Sequence, residues 1–477
     1  MNSPRLLISA AHKSSGKTTI ALGLCAALRN VGLTVQPFKK GPDYIDPLWL
    51  TQAAARACYN LDFYTQSEEE IAALFAAHAS SADLSMIEGN KGLHDGLALD
   101  GSNSNAALAA LLDAPVLLVV DTQGTTRGIA PLLLGYQAFD QRVRIGGVIL
   151  NKVGGPRHEA KLRQFVEHYT DIPVMGAVQR SDELTITERH LGLMPSNESG
   201  DAAAKIGHIA RVVSAQVDLG AIRALANAAR PLSRPAAAPV PSPTTAASVR
   251  VGIFRDRAFG FYYQDDLEAL ERLGAKLVFI NGETDTRLPI LDGLFIGGGF
   301  PEVMMKQLSA NAALRAQVRS AIDAGLPTYA ECGGLMYLAR SISWRGQRCE
   351  MVGSIPGDVL MHERAQGRGY IRLAPTEHFP WPQVSGTSAH AEVRGHEFHH
   401  SSLENLPEDM SYAYRVVRGH GIDGRHDGVI LKNLLAAYGH QRTAGGNQWT
   451  ERFVAFIRQH ATQRTSPPAP ARVQGNA

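Results

Sequence analysis

A ten-residue segment near the start of the chain, AAHKSSGKTT at positions 10–19, constrains the fold more than any other feature. It follows an apolar run at positions 6–8 and opens an apolar, helix-like stretch. Such a strand, loop and helix cradle nucleotide phosphates, because small residues let backbone N–H groups approach the oxygens. A lysine then supplies positive charge and a threonine hydroxyl can bind Mg²⁺. The segment predicts a site for ATP and Mg²⁺, contacted by Ser14, Ser15, Gly16, Lys17, Thr18 and Thr19.

One position departs from the phosphate-loop pattern G-x-x-x-x-G-K-[ST]. The first glycine would fall at Ala11, which must then tolerate a tight backbone. The alternative interpretation is a Gly/Ser-rich turn before a helix, but the strand and helix around the loop favour nucleotide binding.

Length and composition limit the class of protein. A chain of 477 residues exceeds what one hydrophobic core usually organises, so we expect two domains. The formal net charge of +2 favours neither nucleic acid nor a membrane surface as a partner. The four cysteines are widely spaced, which favours neither a disulfide framework nor a zinc site. We expect a cytoplasmic protein, since there is no leader and no apolar run of the ~18 residues that a membrane span needs.

Both halves of the chain are expected to be α/β domains with parallel sheets, because short apolar runs alternate with helical stretches. A Pro/Ala-rich segment with no apolar periodicity separates them, as a linker would. We predict a first domain at 1–227, a linker at 228–249, a second domain at 250–463 and a disordered tail at 464–477.

Ligands of parallel sheets collect at the carboxyl ends of the strands, and polar clusters follow several strands of the first half. Asp43 and Glu88 are carboxylates suited to hold Mg²⁺ beside a triphosphate. Lys39 can neutralise charge as a phosphoryl group moves. Asn151 can meet the adenine edge, although an asparagine at a strand end is also typical of a turn. For each charged residue the alternative is a solvated loop charge.

Cys332 lies between an apolar strand and an apolar helix, in the sequence YAECGGL. A sharp strand-to-helix turn needs small flanking residues, presents the side chain outward and sets the thiol at a helix N-terminus, where the dipole favours thiolate. This is the pattern of a nucleophile elbow. The alternative is a buried structural cysteine, but the two glycines that follow favour catalysis.

A thiol that hydrolyses an amide also needs an oxyanion hole and a base. Gly298, in a glycine-rich loop after another strand, is the predicted oxyanion donor. The candidate bases are His440 and two members of a histidine cluster at 396–400, His396 and His399. His440 is favoured because it follows an apolar strand, as a site residue should. A metal site in the cluster is disfavoured, since no carboxylate or thiol partner shares the required spacing.

With these residues in place, nearly the whole chain resembles the cobyrinic acid a,c-diamide synthase family, glutamine-dependent and ATP-hydrolysing amidotransferases that act on tetrapyrrole acetate groups. The resemblance implies a dethiobiotin-synthetase-like first domain and a class I (triad) glutamine amidotransferase second domain. It also implies Cys332 as nucleophile and His440 as base. The matching blocks are the phosphate loop and residues 41–47, 88–89, 92–93, 95–96, 189–193, 256–259, 261–263, 297–302 and 395–399.

Departures from the family pattern bear on the substrate. They are Asn90 and Lys91 where two apolar residues are usual, His94 for a tyrosine, Gly260 for a cysteine and Asp266 for an asparagine. These differences resemble the branch linked to sirohaem amidation in sulfur-metabolising bacteria. Arg442 stands two residues after His440, where glutaminase triads usually have a glutamate, so whatever orients His440 must come from elsewhere.

The predicted reaction has two halves. ATP phosphorylates an acetate of a carboxylated tetrapyrrole, Cys332 releases ammonia from L-glutamine, and the ammonia reaches the first domain, which requires the domains to dock closely. The predicted substrate contacts are Tyr44, Asp46, Lys91, Asn103 and Arg189. Cobyrinate, sirohaem and sirohydrochlorin all stay open as the macrocycle, and a homodimer stays open as the assembly.

Rival functions share part of the pattern. A ParA/MinD-like ATPase would want a lysine where the chain has His12 and would leave Cys332 idle. A dethiobiotin-type carboxylase-ligase would stop near Ala228. A binding protein that has lost glutaminase activity is disfavoured because Cys332, Gly298 and His440 are all present.

Overall fold

A computed structural model describes residues 3–189, 192–232, 248–385 and 391–465. The chain divides into two compact units, residues 1–240 and 241–477. The predicted linker ends one residue into the first strand of the second unit, which begins at Val249. The last helix continues to Thr465, two residues into the predicted tail. Most of the predicted linker and tail lies outside the described residues.

The first unit contains a seven-stranded sheet in the order β3-β2-β4-β1-β5-β6-β7, with every neighbouring pair parallel. Its strands are β1 (Arg5–Ala10), β2 (Val35–Lys40), β3 (Tyr59–Leu61), β4 (Leu84–Glu88), β5 (Val116–Asp121), β6 (Ile145–Val153) and β7 (Val174–Gln179), and a separate pair is β8 (Glu188–Arg189) with β9 (Gly192–Leu193). Its helices are α1 (Lys17–Asn30), α2 (Ile45–Ala54), α3 (Glu68–Ala79), α4 (Asn105–Leu111), α5 (Ile129–Phe139), α6 (Pro156–Tyr169), α7 (Ala202–Gln216) and α8 (Leu219–Asn227), with a 3₁₀ turn at Asp182–Leu184.

Both faces of this sheet are covered, as parallel sheets require. Leu6 and Ile8 of β1 enter one core with α1, α2 and α7, while Leu7 enters the opposite core with α3 and α6. Continuous apolar runs therefore form the central strands. The carboxyl ends of β2, β4 and β1 lie side by side at one edge of the sheet, which brings their following loops together.

The second unit contains a nine-stranded sheet in the order β12-β10-β13-β15-β24-β23-β22-β19-β20. The five strands from β12 to β24 are parallel, and the pairings from β24 to β20 are antiparallel. The strands are β10 (Val249–Phe254), β11 (Phe259–Phe261), β12 (Ala275–Ile280), β13 (Gly293–Ile296), β14 (Gly298–Gly299), β15 (Thr328–Glu331), β16 (Ser341–Trp344), β17 (Gln347–Glu350), β18 (Asp358–Met361), β19 (Gly367–Pro375), β20 (Val393–His399), β21 (Ser401–Glu404), β22 (Ser411–Arg418), β23 (His426–Leu431) and β24 (Leu434–Ala437). The helices are α9 (Gln264–Arg272), α10 (Met305–Ala310), α11 (Ala312–Asp323), α12 (Gly333–Leu338) and α13 (Trp449–Thr465).

Two smaller sheets accompany it, β11 with β14 and the order β17-β16-β18-β21. The predicted α/β class is confirmed in both units, and the antiparallel half of the second sheet was not predicted. No helix within the described ranges is long and apolar enough to cross a membrane.

Candidate active sites

The phosphate loop connects β1 to α1, and side chains near the end of β6 donate hydrogen bonds to its backbone. Ser14 and Gly16 adopt positive φ values of 65° and 84°. A Cβ at Gly16 would lie 2.3 Å from Nδ2 of Asn151, so only glycine fits there. Asn151 Nδ2 donates to the Ser15 carbonyl at 2.8 Å, and Lys152 Nζ donates to the Ser14 carbonyl at 2.9 Å. The Asn151 amide nitrogen therefore supports the loop, and its predicted contact with adenine stays a prediction.

Ala11 replaces the first glycine of the pattern without backbone strain, because it does not adopt a positive φ. Its carbonyl accepts a hydrogen bond from the Tyr136 hydroxyl. A Cβ at Gly92 would lie 2.8 Å from that carbonyl. The loop that contains Gly92 can therefore approach the Ala11 carbonyl closely only because residue 92 has no side chain.

Glu88, at the end of β4, is the point on which the predicted ATP-site residues converge. Thr18 Oγ1 donates to its Oε1 at 2.5 Å, and Lys17 Nζ lies 3.5 Å from the same oxygen. Lys39 Nζ lies 3.2 Å from Oε2. The Glu88 side chain is fully buried. These contacts form because β4 lies between β2 and β1 in the sheet.

Lys39 is enclosed by acidic groups. Its ammonium forms an ion pair with Asp46, lies 3.9 Å from Asp43 Oδ2 and donates to the Gly89 carbonyl at 3.3 Å. Burial lowers the pKa of Lys39, but Asp46, Glu88 and Asp43 raise it more, so the net shift is upward. Burial raises the pKa of Asp46, but Lys39 and Lys17 lower it more. Lys39 is therefore charged and already neutralised by protein carboxylates.

The predicted magnesium ligands are Thr18, Asp43 and Glu88. Thr18 and Glu88 touch, whereas Asp43 Oδ1 accepts the backbone N–H groups of Ile45 and Asp46 at the start of α2. No group of three His, Cys, Asp or Glu side chains within the described ranges is arranged to hold a metal. Mg²⁺ at nucleotide sites takes one or two carboxylates, with phosphate oxygens and water completing its shell. The adjacent hydroxyl and buried carboxylate of Thr18 and Glu88 fit that requirement.

The predicted substrate contacts lie in different settings. Tyr44 is buried at the start of α2, and Asp46 is engaged with Lys39. Lys91 is exposed and adopts a positive φ of 41°. Asn103 Oδ1 accepts the backbone N–H groups of Leu97 and Ala98 at 2.9 and 3.2 Å, so this oxygen shapes the loop. Arg189 lies in β8, opposite Gly192.

Lys40 is a notable residue to which the sequence analysis assigned no role. It is only 6% exposed, and its Nζ donates to Asn90 Oδ1 at 3.2 Å. Burial lowers its pKa to about 8, with Asp62 opposing the shift and Lys91 and Lys39 adding to it. The pair of consecutive lysines at a strand end was the available signal. The end of β2 thus carries a buried lysine, next to the loop after β4, whose charge is poorly compensated.

In the second unit, Cys332 forms a strained turn between β15 and α12, with φ 47°. Its N–H donates to the Ala437 carbonyl at 2.7 Å. A Cβ at Gly334 would lie 2.2 Å from the Ile296 carbonyl, and one at Gly333 would lie 2.9 Å from the Gly299 nitrogen. The small residues that the elbow was expected to need are therefore required by close backbone approaches.

The expected preference of Cys332 for the thiolate is wrong for the protein in this state. Burial raises the pKa of the thiol and Glu302 raises it further, while a hydrogen bond from the Gly333 backbone lowers it. The thiol is 6% exposed, and α12 has only six residues, too few for a strong dipole. The thiol therefore needs a base to lose its proton.

His440 lies three residues beyond the end of β24, against the predicted oxyanion loop. A Cβ at Gly298 would lie 2.6 Å from His440 Cε1 and 3.4 Å from Nε2. The His396 ring stacks on the His440 ring with centroids 4.8 Å apart, and the two residues exchange backbone hydrogen bonds of 3.2 and 2.8 Å. Burial, then His440, lowers the pKa of His396 well below its usual value. The structure thus brings Gly298 and His440 together, with His396 behind the base.

Glu331, which the sequence analysis missed, contacts the base from the neighbouring strand. Its Oε2 lies 3.2 Å from His440 Nδ1, and both side chains are buried. Arg442 is paired instead with Asp265, through Nε at 3.0 Å and Nη2 at 2.8 Å. No sequence spacing signals the Glu331 contact, because it depends on the pairing of β15 with β24.

The histidines of the 396–400 cluster contact neighbouring groups of the protein. His396 Nδ1 contacts the Tyr263 hydroxyl at 3.2 Å. His399 Nδ1 contacts the Ser401 carbonyl at 2.8 Å, and its ring stacks on Tyr438. These contacts are structural.

Comparison with known proteins covers both units. The family model described as a CobB/CobQ-like glutamine amidotransferase domain matches residues 250–448, and the model described as an AAA domain matches residues 4–187. The second match makes the first unit a nucleotide-binding domain, and the first confirms the predicted class of glutamine-dependent amidating ligase.

Full-length relatives extend the match. The chain is 46% identical to the cobyrinate a,c-diamide synthase of Magnetococcus marinus, over 96% of this chain and 98% of that protein. It is 39% identical to the protein of the same name from Methanosarcina acetivorans, over 92% of each chain. It is also 39% identical to that of Archaeoglobus fulgidus, over 95% of this chain and 97% of that protein. The chain belongs to the cobyrinate a,c-diamide synthase family.

Proposed function

We propose that this protein uses ATP and glutamine to convert peripheral acetate carboxylates of a tetrapyrrole into amides. The observation that carries the proposal is the convergence of Lys17, Thr18 and Lys39 on the buried carboxylate of Glu88. A second reaction centre, with Cys332 and His440, is present in the same chain. The relatives named above act, by name, on cobyrinate, which supports a tetrapyrrole as the acceptor.

The second unit supplies nitrogen. The proton of the Cys332 thiol moves to Nε2 of His440, and the sulfur attacks the side-chain amide carbon of glutamine. The oxyanion is stabilised near Gly298, the C–N bond breaks, and ammonia leaves with the proton from His440. Water, deprotonated by His440, then hydrolyses the thioester, which releases glutamate and restores the thiol.

The first unit energises the acceptor. A carboxylate oxygen of the acetate attacks the γ-phosphorus of ATP, which forms an acyl phosphate and ADP. Ammonia then attacks the acyl carbon and inorganic phosphate leaves. Lys17 is the cation suited to the transferred charge, whereas Lys39, which three carboxylates already surround, stays a predicted participant. Thr18 and Glu88, with Asp43 as a third candidate, would hold Mg²⁺, which when bound neutralises phosphate charge.

The acceptor side is cationic. We assign Lys91, which is exposed, and Lys40, whose Nζ contacts the neighbouring Asn90, to a substrate carboxylate that does not react, because ammonium groups pair with carboxylates. Tyr44, Asp46, Asn103 and Arg189 stay as predicted contacts. Sirohaem and sirohydrochlorin are the alternative acceptors, because Asn90 departs from the apolar residue usual in the family.

The test is a product assay on the full chain. Cobyrinate, sirohaem and sirohydrochlorin are each incubated with ATP, Mg²⁺ and either glutamine or ammonium, and the products are analysed by mass spectrometry. We expect amides of at least one macrocycle, with ADP formed in step. The Cys332→Ala variant should lose glutamine use and keep ammonium use. ATP hydrolysis with no amide from any of the three would favour a ParA/MinD-like ATPase and overturn the proposal.

A further inference from the structure

We propose that Glu331 is the positioning residue of the glutamine-hydrolysing centre, orienting His440 and compensating the charge it gains when it takes the thiol proton. The inference rests on the proposed function of the second unit. It answers a question that the sequence leaves open, because Arg442 occupies the place of the usual triad glutamate.

The contact selects one nitrogen of the imidazole. Glu331 Oε2 faces Nδ1 of His440 at 3.2 Å, and each side chain is only 3% exposed. Glu331 Oε1 already accepts two hydrogen bonds, so the side chain is placed to accept a third through Oε2 from Nδ1–H, which leaves Nε2 as the acceptor of the neutral ring. Nε2 is on the side of Gly298, where a Cβ would approach it to 3.4 Å. The base is thus turned toward the predicted oxyanion loop.

Glu331 is itself held in place. Its other oxygen, Oε1, accepts the Gln441 backbone N–H at 2.9 Å and the Tyr329 hydroxyl at 2.6 Å. Gln441 Nε2 in turn donates to the hydroxyls of Tyr329 and Tyr414 at 3.0 and 2.8 Å. The Tyr329 ring stacks on Phe295 with centroids 5.2 Å apart. The carboxylate therefore cannot rotate away, and its orientation is fixed before glutamine binds.

Other acidic groups near the base have different partners. Asp265 binds Arg442. Asp427 accepts the backbone N–H groups of Tyr438 and Gly439, each at 2.9 Å, and so fixes the chain before His440. The titratable side chains facing His440 include Glu331 from β15 and His396 from β20, with Tyr263 behind His396. Glu331 is an acid in direct contact with the ring, so it can compensate an imidazolium.

Placement of Glu331 beside Cys332 has a geometric reason. Glu331 is the last residue of β15, where it pairs with Ala437 of β24, and Cys332 follows it at the start of the turn, with φ 47°. Successive residues of a strand point to opposite sides, and the turn redirects the second one. One strand end thus supplies both the nucleophile and the partner of the base.

The experiment compares Glu331→Gln with Glu331→Asp in the full chain. Glu331→Gln keeps the size and loses the charge. We expect its glutamine-dependent kcat to fall about 10²-fold, the lower range for a general base, with ammonium-dependent amidation retained. The acidic limb of its kcat/KM profile for glutamine should move to lower pH, because the imidazolium has lost its anionic neighbour. Glu331→Asp should recover part of the rate and keep the limb near its original position.

Asp265→Asn is the matched control, since it loosens the segment after His440 without touching the ring. Its acidic limb should not move. If Glu331→Gln hydrolyses glutamine at the original rate, or loses rate with an unmoved limb while Glu331→Asp gives no recovery, Glu331 is only structural and the inference is overturned. If the unaltered chain does not hydrolyse glutamine, the proposed function itself fails.

Discussion

Lys39 of β2 and Glu88 of β4 form a buried ion pair, with 3.2 Å between Nζ and Oε2 and neither side chain more than 1% exposed. Asp46 and Asp43 share the same ammonium. The positive charge of Lys39 is therefore balanced by protein carboxylates within the nucleotide site. Removing Lys39 would leave those carboxylates without this compensating charge.

We expect Lys39→Met to lower the free energy of unfolding by about 3–5 kcal/mol, because it leaves buried carboxylates unpaired. It should also abolish amidation with either nitrogen source. Thermal and urea unfolding of the full chain measure the first effect. Lys161→Met, which removes an exposed lysine of α6, is the control and should change neither property. Unaltered stability of Lys39→Met would show that the carboxylates relax toward solvent.

Lys40→Met should stabilise the protein at pH 7. The pKa of Lys40 is lowered to about 8 from 10.5, so between these values the unfolded chain binds more protons than the folded chain. Stability of the natural chain therefore rises as pH increases through this window, and the charged lysine costs about 3 kcal/mol below it. The variant should lose this slope. Urea unfolding from pH 7 to 10 measures it, with Lys161→Met as control.

The Lys40→Met variant also tests whether the Lys40 ammonium binds the macrocycle or ATP. If Lys40 contacts a substrate carboxylate, Lys40→Met raises KM for the macrocycle and leaves KM for ATP unchanged. A rise in KM for ATP alone would assign the ammonium to phosphate instead.

Gly298→Ala should abolish glutamine-dependent amidation and preserve ammonium-dependent amidation. An added Cβ would lie 2.6 Å from His440 Cε1, so either the base or the loop must move. Gly135→Ala is the control, because a Cβ there meets no atom within 4 Å. Full glutamine use by Gly298→Ala would mean that the loop adapts.

Glu302→Gln should make Cys332 more reactive. Glu302 raises the pKa of this thiol, second only to burial, so removing its charge should increase the thiolate fraction at any pH below the pKa. Iodoacetamide labelling of the Cys332 peptide, followed by mass spectrometry in a Cys349→Ala background, should be several-fold faster. Glu350→Gln, which alters a glutamate that is 84% exposed, should label at the original rate. Equal labelling rates with and without Glu302→Gln would mean that burial alone raises the pKa of Cys332.

The sequence predicted those parts of the sites that depend on local pattern. The phosphate loop, the clusters after β2 and β4 and the elbow at Cys332 all follow apolar runs, and the ends of parallel strands meet at one edge. Lys39, Thr18 and Glu88 could therefore be grouped because each lies at or just after the end of a predicted strand.

Contacts across strands could not be predicted in this way. The Glu331 contact needs the register of β15 against β24, and the role of Asn151 in supporting Ser15 needs the folded loop. The predicted direction of the pKa shift of Cys332 was wrong because burial and Glu302 raise this pKa more than a six-residue helix lowers it. Neither the burial nor the proximity of Glu302 can be predicted from the residues adjacent in sequence.

Because Glu331 and Cys332 are consecutive, a shift of β15 would move both side chains together. A one-residue slip of β15 against β24 would turn every side chain of the strand to the other face, displacing the acid and the sulfur in a single event. Insertions or deletions in this strand are therefore expected to silence nitrogen release outright, whereas the nucleotide-binding unit would keep its own chemistry. A protein with such a mutation would no longer use glutamine, and its amidation reaction would depend on free ammonium as the nitrogen source.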